Sequence, residues 1–198
     1  MKNYRFKFTV MVIMIILAGC TGRFYNKVIT YDDEFRNNSK RITRVSLRSE
    51  EKRTEVNNAK IVFEREFSSG QGEGSPKAYF VISRSSASFR IDRIGFMKCG
   101  GQKFELTVVE PISEYKTEYE TTAMSTESSD STGYSSFQMS DTNSSQWFDE
   151  KFVIDITPDM ASGIRESDGV TFRFYFGPIP ATYILDGKRL EAVKGVLR

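Results

Sequence analysis

Apolar residues in this chain recur at every second position, and that regularity constrains the fold more than anything else in the sequence. Successive side chains of a strand point to opposite faces, so a period of two marks a half-buried strand and does not suit a helix. Stretch 170–176 shows the pattern most clearly. Val170, Phe172, Phe174 and Phe176 fall on one face, and Thr171, Arg173 and Tyr175 on the other. In 42–49, Val45 and Leu47 oppose Arg44, Ser46 and Arg48. In 60–67, Ile61, Phe63, Arg65 and Phe67 oppose Val62, Glu64 and Glu66. Phe152, Ile154 and Ile156 point inward along 151–156, and KAYFVISR at 77–84 is apolar enough for a central strand. Stretches 89–98 and 103–109, the latter with Phe104, Leu106 and Val108 on one face, flank Cys99-Gly100-Gly101-Gln102. Two adjacent glycines take positive φ without strain, which predicts a hairpin there. The phase slips near Asp92-Arg93, where a bulge would re-aim the strand.

Helical signals are few and late. Thr157-Pro158-Asp159 reads as N-cap, proline at the first helical position and an acid in the first turn, predicting a helix from Pro158 to near Ile164. Asp186 is placed to cap a C-terminal helix with Leu190, Val193 and Leu197 along one stripe. About seven strands and two short helices predict a mainly β chain. The expected fold is an antiparallel β-sandwich with two short helices near the C-terminus, with an α+β arrangement as the alternative.

The first twenty residues are of another kind. Lys2, Arg5 and Lys7 precede ten uncharged residues, VMVIMIILAG at 10–19. That run is too short for a bilayer span, which takes roughly 20 apolar residues. A basic start, a short apolar run and small residues at its end form an export signal. Leu17-Ala18-Gly19-Cys20 then resembles the lipobox of bacterial lipoproteins. In that family a peptidase cuts between small residues and the cysteine thiol takes a diacylglycerol through a thioether. The resemblance covers about the first twenty residues and implies lipid attachment at Cys20. It implies a chain anchored to a membrane, with palmitate-type acyl groups, since two or more chains give stable attachment. Thr21 stands where enteric lipoproteins retained at the inner membrane usually carry aspartate, so the expected site in the cell envelope is the outer membrane, where the organism has one. The expected organisation is therefore a signal peptide at 1–19, a lipidated tether joining the domain at 20–40, and one β-rich domain at 41–198. The order of elements in that domain is similar to that of small uncharacterised bacterial envelope domains of no named family, and brings no function with it.

Removal of nineteen residues leaves 179, enough for one domain with a substantial core. It also removes three of the 28 basic residues, so 25 face 26 acids and the net charge becomes −1. No basic stripe remains to indicate nucleic acid. With Cys20 acylated, Cys99 is the only other cysteine, which leaves no intramolecular disulfide. It is expected to be a small, half-buried turn residue. The chain has no histidine. That excludes Ser-His-Asp and Cys-His nucleophilic sites, histidine bases and the usual zinc sets. No acidic run matches a calcium-loop pattern. No cofactor, metal or catalytic residue is expected.

One segment breaks the alternation. Of the 33 residues 113–145, 16 are Ser or Thr, and six acids against Lys116 give a net of −5. Such composition predicts an acidic, solvated loop or hairpin excursion. Trp147 and Phe148 are expected to enter the following strand as core. Tyr115, Tyr119, Tyr134 and Phe137 are spaced through the segment, and aromatics are the side chains most used as binding anchors. These four are the candidate contacts to a protein or glycan partner. The expected function is a non-catalytic, membrane-anchored binding or structural module. The alternatives are an accessory subunit of an envelope assembly and a carboxylate-based glycan hydrolase.

Overall fold

A computed structural model describes residues 25–33, 38–51, 55–68, 72–86, 88–130 and 133–198; the side chains of 72, 73 and 120–142 lie outside that description. The export signal and Cys20 lie outside the described residues. Two antiparallel sheets and two helices make up the described chain. The first sheet joins β1 (Ile29–Asp33), β2 (Asn38–Arg48), β3 (Val56–Ser68), β5 (Lys77–Arg84), β9 (Gly133–Asp155) and β8 (Val109–Asp130) in that order, with β4 (Gly72–Glu73) paired to β3. The second joins β11 (Ile179–Asp186), β10 (Gly169–Phe176), β6 (Ile94–Cys99) and β7 (Gln102–Thr107). The sandwich-like fold read from the period-two pattern is the one observed.

The alternation sets the register. Along β2 the inward positions Thr43, Val45 and Leu47 are buried, while Arg44, Ser46 and Arg48 are exposed. Along β10 all four of Val170, Phe172, Phe174 and Phe176 are buried. A one-residue slip would turn each of these sets to solvent, so register and core specify one another. Phenylalanines join the two sheets. Phe80 of β5 stacks on Phe152 of β9 at 5.0 Å, and both meet Phe174 of β10 edge-on, at 5.0 and 4.9 Å. Gly95 of β6 gives Phe174 its room. A Cβ there would stand 2.6 Å from the ring.

β6 and β7 form the predicted hairpin through Gly100 (φ 55°) and Gly101 (φ 82°). The strand before the turn is shorter than expected. Its alternation breaks at Asp92-Arg93, so β6 starts at Ile94, with Ile91 kept as an isolated bridge to Phe176. Cys99 corrects the sequence reading: it is a core residue of β6, 2% exposed. β11, whose mixed polarity carries a weak signal, pairs with β10 along its length.

Helix α1 (Pro158–Glu166) starts as predicted, with the Thr157 hydroxyl accepting from the Met160 amide at 3.3 Å. It buries Met160, Ala161 and Ile164. Helix α2 (Gly187–Leu197) buries Leu190, Val193 and Leu197 as expected, with Val196 beside them. Asp186 stands at its N-cap position, but its side chain makes no capping bond; Gly187 follows at φ 50°. At the other end of α2 the Leu197 carbonyl accepts from Arg65 at 2.9 Å and Arg165 at 3.0 Å. Two cations thus meet the negative end of the helix and satisfy a carbonyl with no partner inside it.

Candidate functional site: a projecting strand pair and its root

The segment 113–145, expected as a loop, is mostly strand. β8 and β9 pair from Ile112↔Lys151 to Asp130↔Gly133. Only the inner end of this pair belongs to the sheet, because β5 covers β9 no further than Arg84↔Phe148. Beyond that point, among the described residues, the two strands have no third neighbour. From Lys116↔Trp147 to Asp130↔Gly133 is fifteen residues per strand, a ribbon reaching about 50 Å at roughly 3.4 Å per residue. Its polar composition suggested a loop because it offers no apolar face. A ribbon still satisfies its backbone donors and acceptors by pairing across itself, which a bare loop of the same sequence would leave to water.

The ribbon's root is built from three features. β8 starts with a register shift between Val109 and Ile112, where Glu110 takes φ 49° and Pro111 follows. Proline has no amide to give and is tolerated there because β8 is the edge strand. On the inner face Arg84 and Glu150 form a buried ion pair, with side chains 4% and 3% exposed. Arg84 also donates to the Phe89 carbonyl and faces the rings of Phe148 and Phe176, at 5.9 and 5.3 Å. On the outer face Glu114 accepts from Lys116 at 2.8 Å and Lys151 at 2.6 Å. Hydrogen bonds from these two ammonium groups hold the Glu114 carboxyl down at about 2, and Glu114 in turn raises Lys116.

Two of the four sequence-predicted aromatics, Tyr115 and Tyr119, have described side chains. Tyr115 is 55% exposed and leans on Phe148 at 5.2 Å, while Tyr119 is 70% exposed on the same face of the ribbon. The side chains of Tyr134 and Phe137 lie outside the described residues. By backbone register position 134 stands opposite Ser129 and position 137 opposite Thr126. Trp147 and Phe148 correct the sequence reading, being half-buried at the ribbon's root and not part of the core.

The Arg84–Glu150 pair went unread in the sequence, although its signal was present. Carrying the inward series Ala78, Phe80, Ile82 one step further reaches Arg84, and carrying Ile154, Phe152 one step back reaches Glu150.

Away from the ribbon, Glu51 is committed to the fold. Burial pushes the Glu51 carboxyl up but is outweighed by hydrogen bonds from the Thr182 hydroxyl, the Thr182 amide and Ser49, so it lies below its ordinary value. Burial, with the Glu51 charge second, raises the Tyr183 phenol well above its usual range. A shallow cleft of about 400 Å³ lies between the β6–β7 turn and α1, lined by Gln102, Phe104, Asp159, Ser162 and Glu166, with Cys99 at its floor. Burial raises the Cys99 thiol, which keeps it protonated and a poor nucleophile. Among the described residues, no three His, Cys, Asp or Glu side chains converge as a metal set.

No family model, curated protein or solved structure matches the chain.

Proposed function

We propose that this protein is a lipoprotein of the bacterial cell envelope, anchored through Cys20, whose ribbon presents a contact surface to a protein or glycan partner. The anchor rests on the complete Leu17-Ala18-Gly19-Cys20 box behind a basic and apolar leader. The observation that carries the binding role is the ribbon itself: a strand pair projecting about 50 Å with Tyr115 and Tyr119 exposed on one face. Exposed aromatics are the side chains most used as binding anchors. The module is read as acting by contact; Glu51, Glu114 and Glu150 are each engaged by partners within the fold.

Two measurements test this. Cys20→Ser should abolish incorporation of labelled fatty acid and leave an unprocessed precursor; labelling equal to wild type would overturn the anchor. Wild-type chain and a Tyr115→Ser/Tyr119→Ser variant should then be purified from detergent-solubilised membranes. A stoichiometric companion lost only from the variant supports the binding role, since both positions are exposed and the fold should be unchanged. Identical companions on both, or none on either, would overturn it.

A further inference from the structure

We infer that the outer face of β2 and β3 is a membrane-contacting surface that engages anionic lipid headgroups; this deepens the anchoring reading above and rests on it. Charge in the mature chain is unevenly divided. The whole carries −1 and residues 113–145 carry −5, so the remainder carries +4. On the outer face of the first sheet part of that excess is concentrated. Arg44 and Arg48 project from β2, and Lys60 of β3 stands opposite Ser46, between them. Diagonal neighbours in such a register are about 7–8 Å apart. All three are exposed, and among the described residues none has an ion-pair partner. The next outward positions in register are Val62, Tyr79 and Val81, half-buried and apolar. The acid above them on β3, Glu64, is held by Lys40 at 2.6 Å.

Proximity selects the occupant. Tyr25 forms a bridge with Arg44, and the Asn26 amide donates to the Arg44 carbonyl at 2.9 Å. Four residues separate Cys20 from Tyr25, five Cα-to-Cα steps, so the tether spans at most about 18 Å. An acyl chain inserted at Cys20 therefore holds the Arg44 backbone within about 23 Å of the bilayer surface, the tether plus one strand spacing, whatever the orientation of the domain. Charge then selects the orientation. An anionic surface attracts the Arg44, Arg48 and Lys60 face and repels the −5 segment, each over a Debye length of roughly 8 Å. The second sheet also carries outward cations, Lys98 and Lys103, but on the opposite side of the sandwich from the tether's bridge.

The test uses the full chain, purified in detergent and reconstituted into phosphatidylcholine vesicles with or without phosphatidylglycerol and with nitroxide-labelled headgroups. A fluorophore is placed by Ser46→Cys on the proposed face or by Thr107→Cys on the second sheet; buried Cys99 stays unlabelled. Quenching should be stronger at position 46, appear only with phosphatidylglycerol, and vanish in high salt. Each basic side chain at such a surface is worth roughly fivefold in partitioning, so Arg44→Gln/Arg48→Gln should lower the docked-to-free ratio about 25-fold. Lys98→Gln/Lys103→Gln, with equal charge loss, should leave it unchanged. Equal quenching at 46 and 107 in an acylated chain overturns the inference while sparing the anchor. Absence of an acyl chain overturns the anchor. Salt-sensitive self-association in detergent that Arg44→Gln/Arg48→Gln abolishes would show the face is met by a second copy's acidic ribbon, and also overturns the inference.

Discussion

Removing Glu150 alone should be among the most damaging single changes available in this chain. The carboxylate lies on the inner face of β9 beside Phe152, and with Arg84 it forms an ion pair whose side chains are 4% and 3% exposed. Taking away one member leaves the guanidinium buried and uncompensated, which costs roughly 3–5 kcal/mol. Arg84 keeps only the Phe89 carbonyl and the rings of Phe148 and Phe176. Those rings return only about 1–2 kcal/mol to a cation in a dry site. Against a total stability of about 5–15 kcal/mol, Glu150→Ala therefore leaves a marginal domain. Replacing both partners by Arg84→Met/Glu150→Leu removes the charges together, and such exchanges are neutral or stabilising by about 1–4 kcal/mol. The Phe89 carbonyl then loses its donor, at roughly 1 kcal/mol. The double variant should thus be close to wild type and well above either single one. Urea denaturation resolves the difference. With a slope of about 2 kcal/mol per molar, Glu150→Ala should lower the midpoint by roughly 2 M and the double variant by less than about 0.5 M. A loss below about 1 kcal/mol for Glu150→Ala would refute the reasoning, because that is the behaviour of a solvated pair.

Three further outcomes follow from the geometry. Gly95→Ala should destabilise by about 1–3 kcal/mol, because its Cβ meets the fully buried Phe174 ring at 2.6 Å; Gly95→Ala/Phe174→Leu should recover part of the loss, and additive effects in urea would show the clash is not the cause. Glu114 has a carboxyl lowered by its two lysines, so its contribution to the ribbon's root is present above its ordinary value of 4.5 and is lost as pH falls from there through about 2; NMR titration of its side chain should give a midpoint near 2 that Lys151→Met raises, and a midpoint near 4.5 in the native chain would refute the pairing. Cys99, 2% exposed and raised by burial, should react with a thiol reagent at neutral pH only as fast as the domain opens; native reaction as rapid as that in urea would show it is accessible.

The parts legible in the sequence are those where one face is buried. β2, β3, β9's inner end and β10 alternate because the core rewards one parity and water the other, so Val45, Phe63, Ile154 and Phe172 could be placed from spacing alone. Thr157 was legible for a local reason, since capping involves only Thr157, Pro158 and Met160. The ribbon was not legible. Its pairing is stabilised by backbone bonds across some twenty residues of separation, and no burial imposes a parity, so composition pointed to a loop. Arg84 and Glu150 were missed for the opposite reason. Each continues an inward series, but a charged residue at the end of an apolar run reads as the strand's exit to solvent unless its counter-ion is known to lie on the neighbouring strand.

The strand order gives these elements a common logic. The first described strand, β1, and the ribbon strand β8 occupy opposite edges of one sheet, separated by five strand intervals or about 24 Å. Edges are where sheets recruit other chains, and proteins defend them with charge, proline and bulges. β8 has all three, in Glu114 and Lys116, Pro111, and the shift between Val109 and Ile112. Its continuation then leaves the sheet as a polar, acidic ribbon, a composition unsuited to stacking into the dry interfaces of fibrils. An edge that only needed protection could have ended at Ile112. Extending it by fifteen paired residues on each strand orders a long segment that no third strand covers among the described residues, at a cost of about 1–2 kcal/mol per residue in backbone freedom before pairing offsets it. Isolated strand pairs are at best marginal in water. The arrangement fits the proposal that the ribbon is completed by something outside this chain. Amide exchange reads that directly: the amides of Lys116 to Tyr119 and Asn143 to Gln146 should exchange much faster than those of β10 in the purified protein, and slow in membranes that hold the partner. Protection equal to β10 in the purified chain would show that the ribbon is self-sufficient and that no partner is needed to explain it.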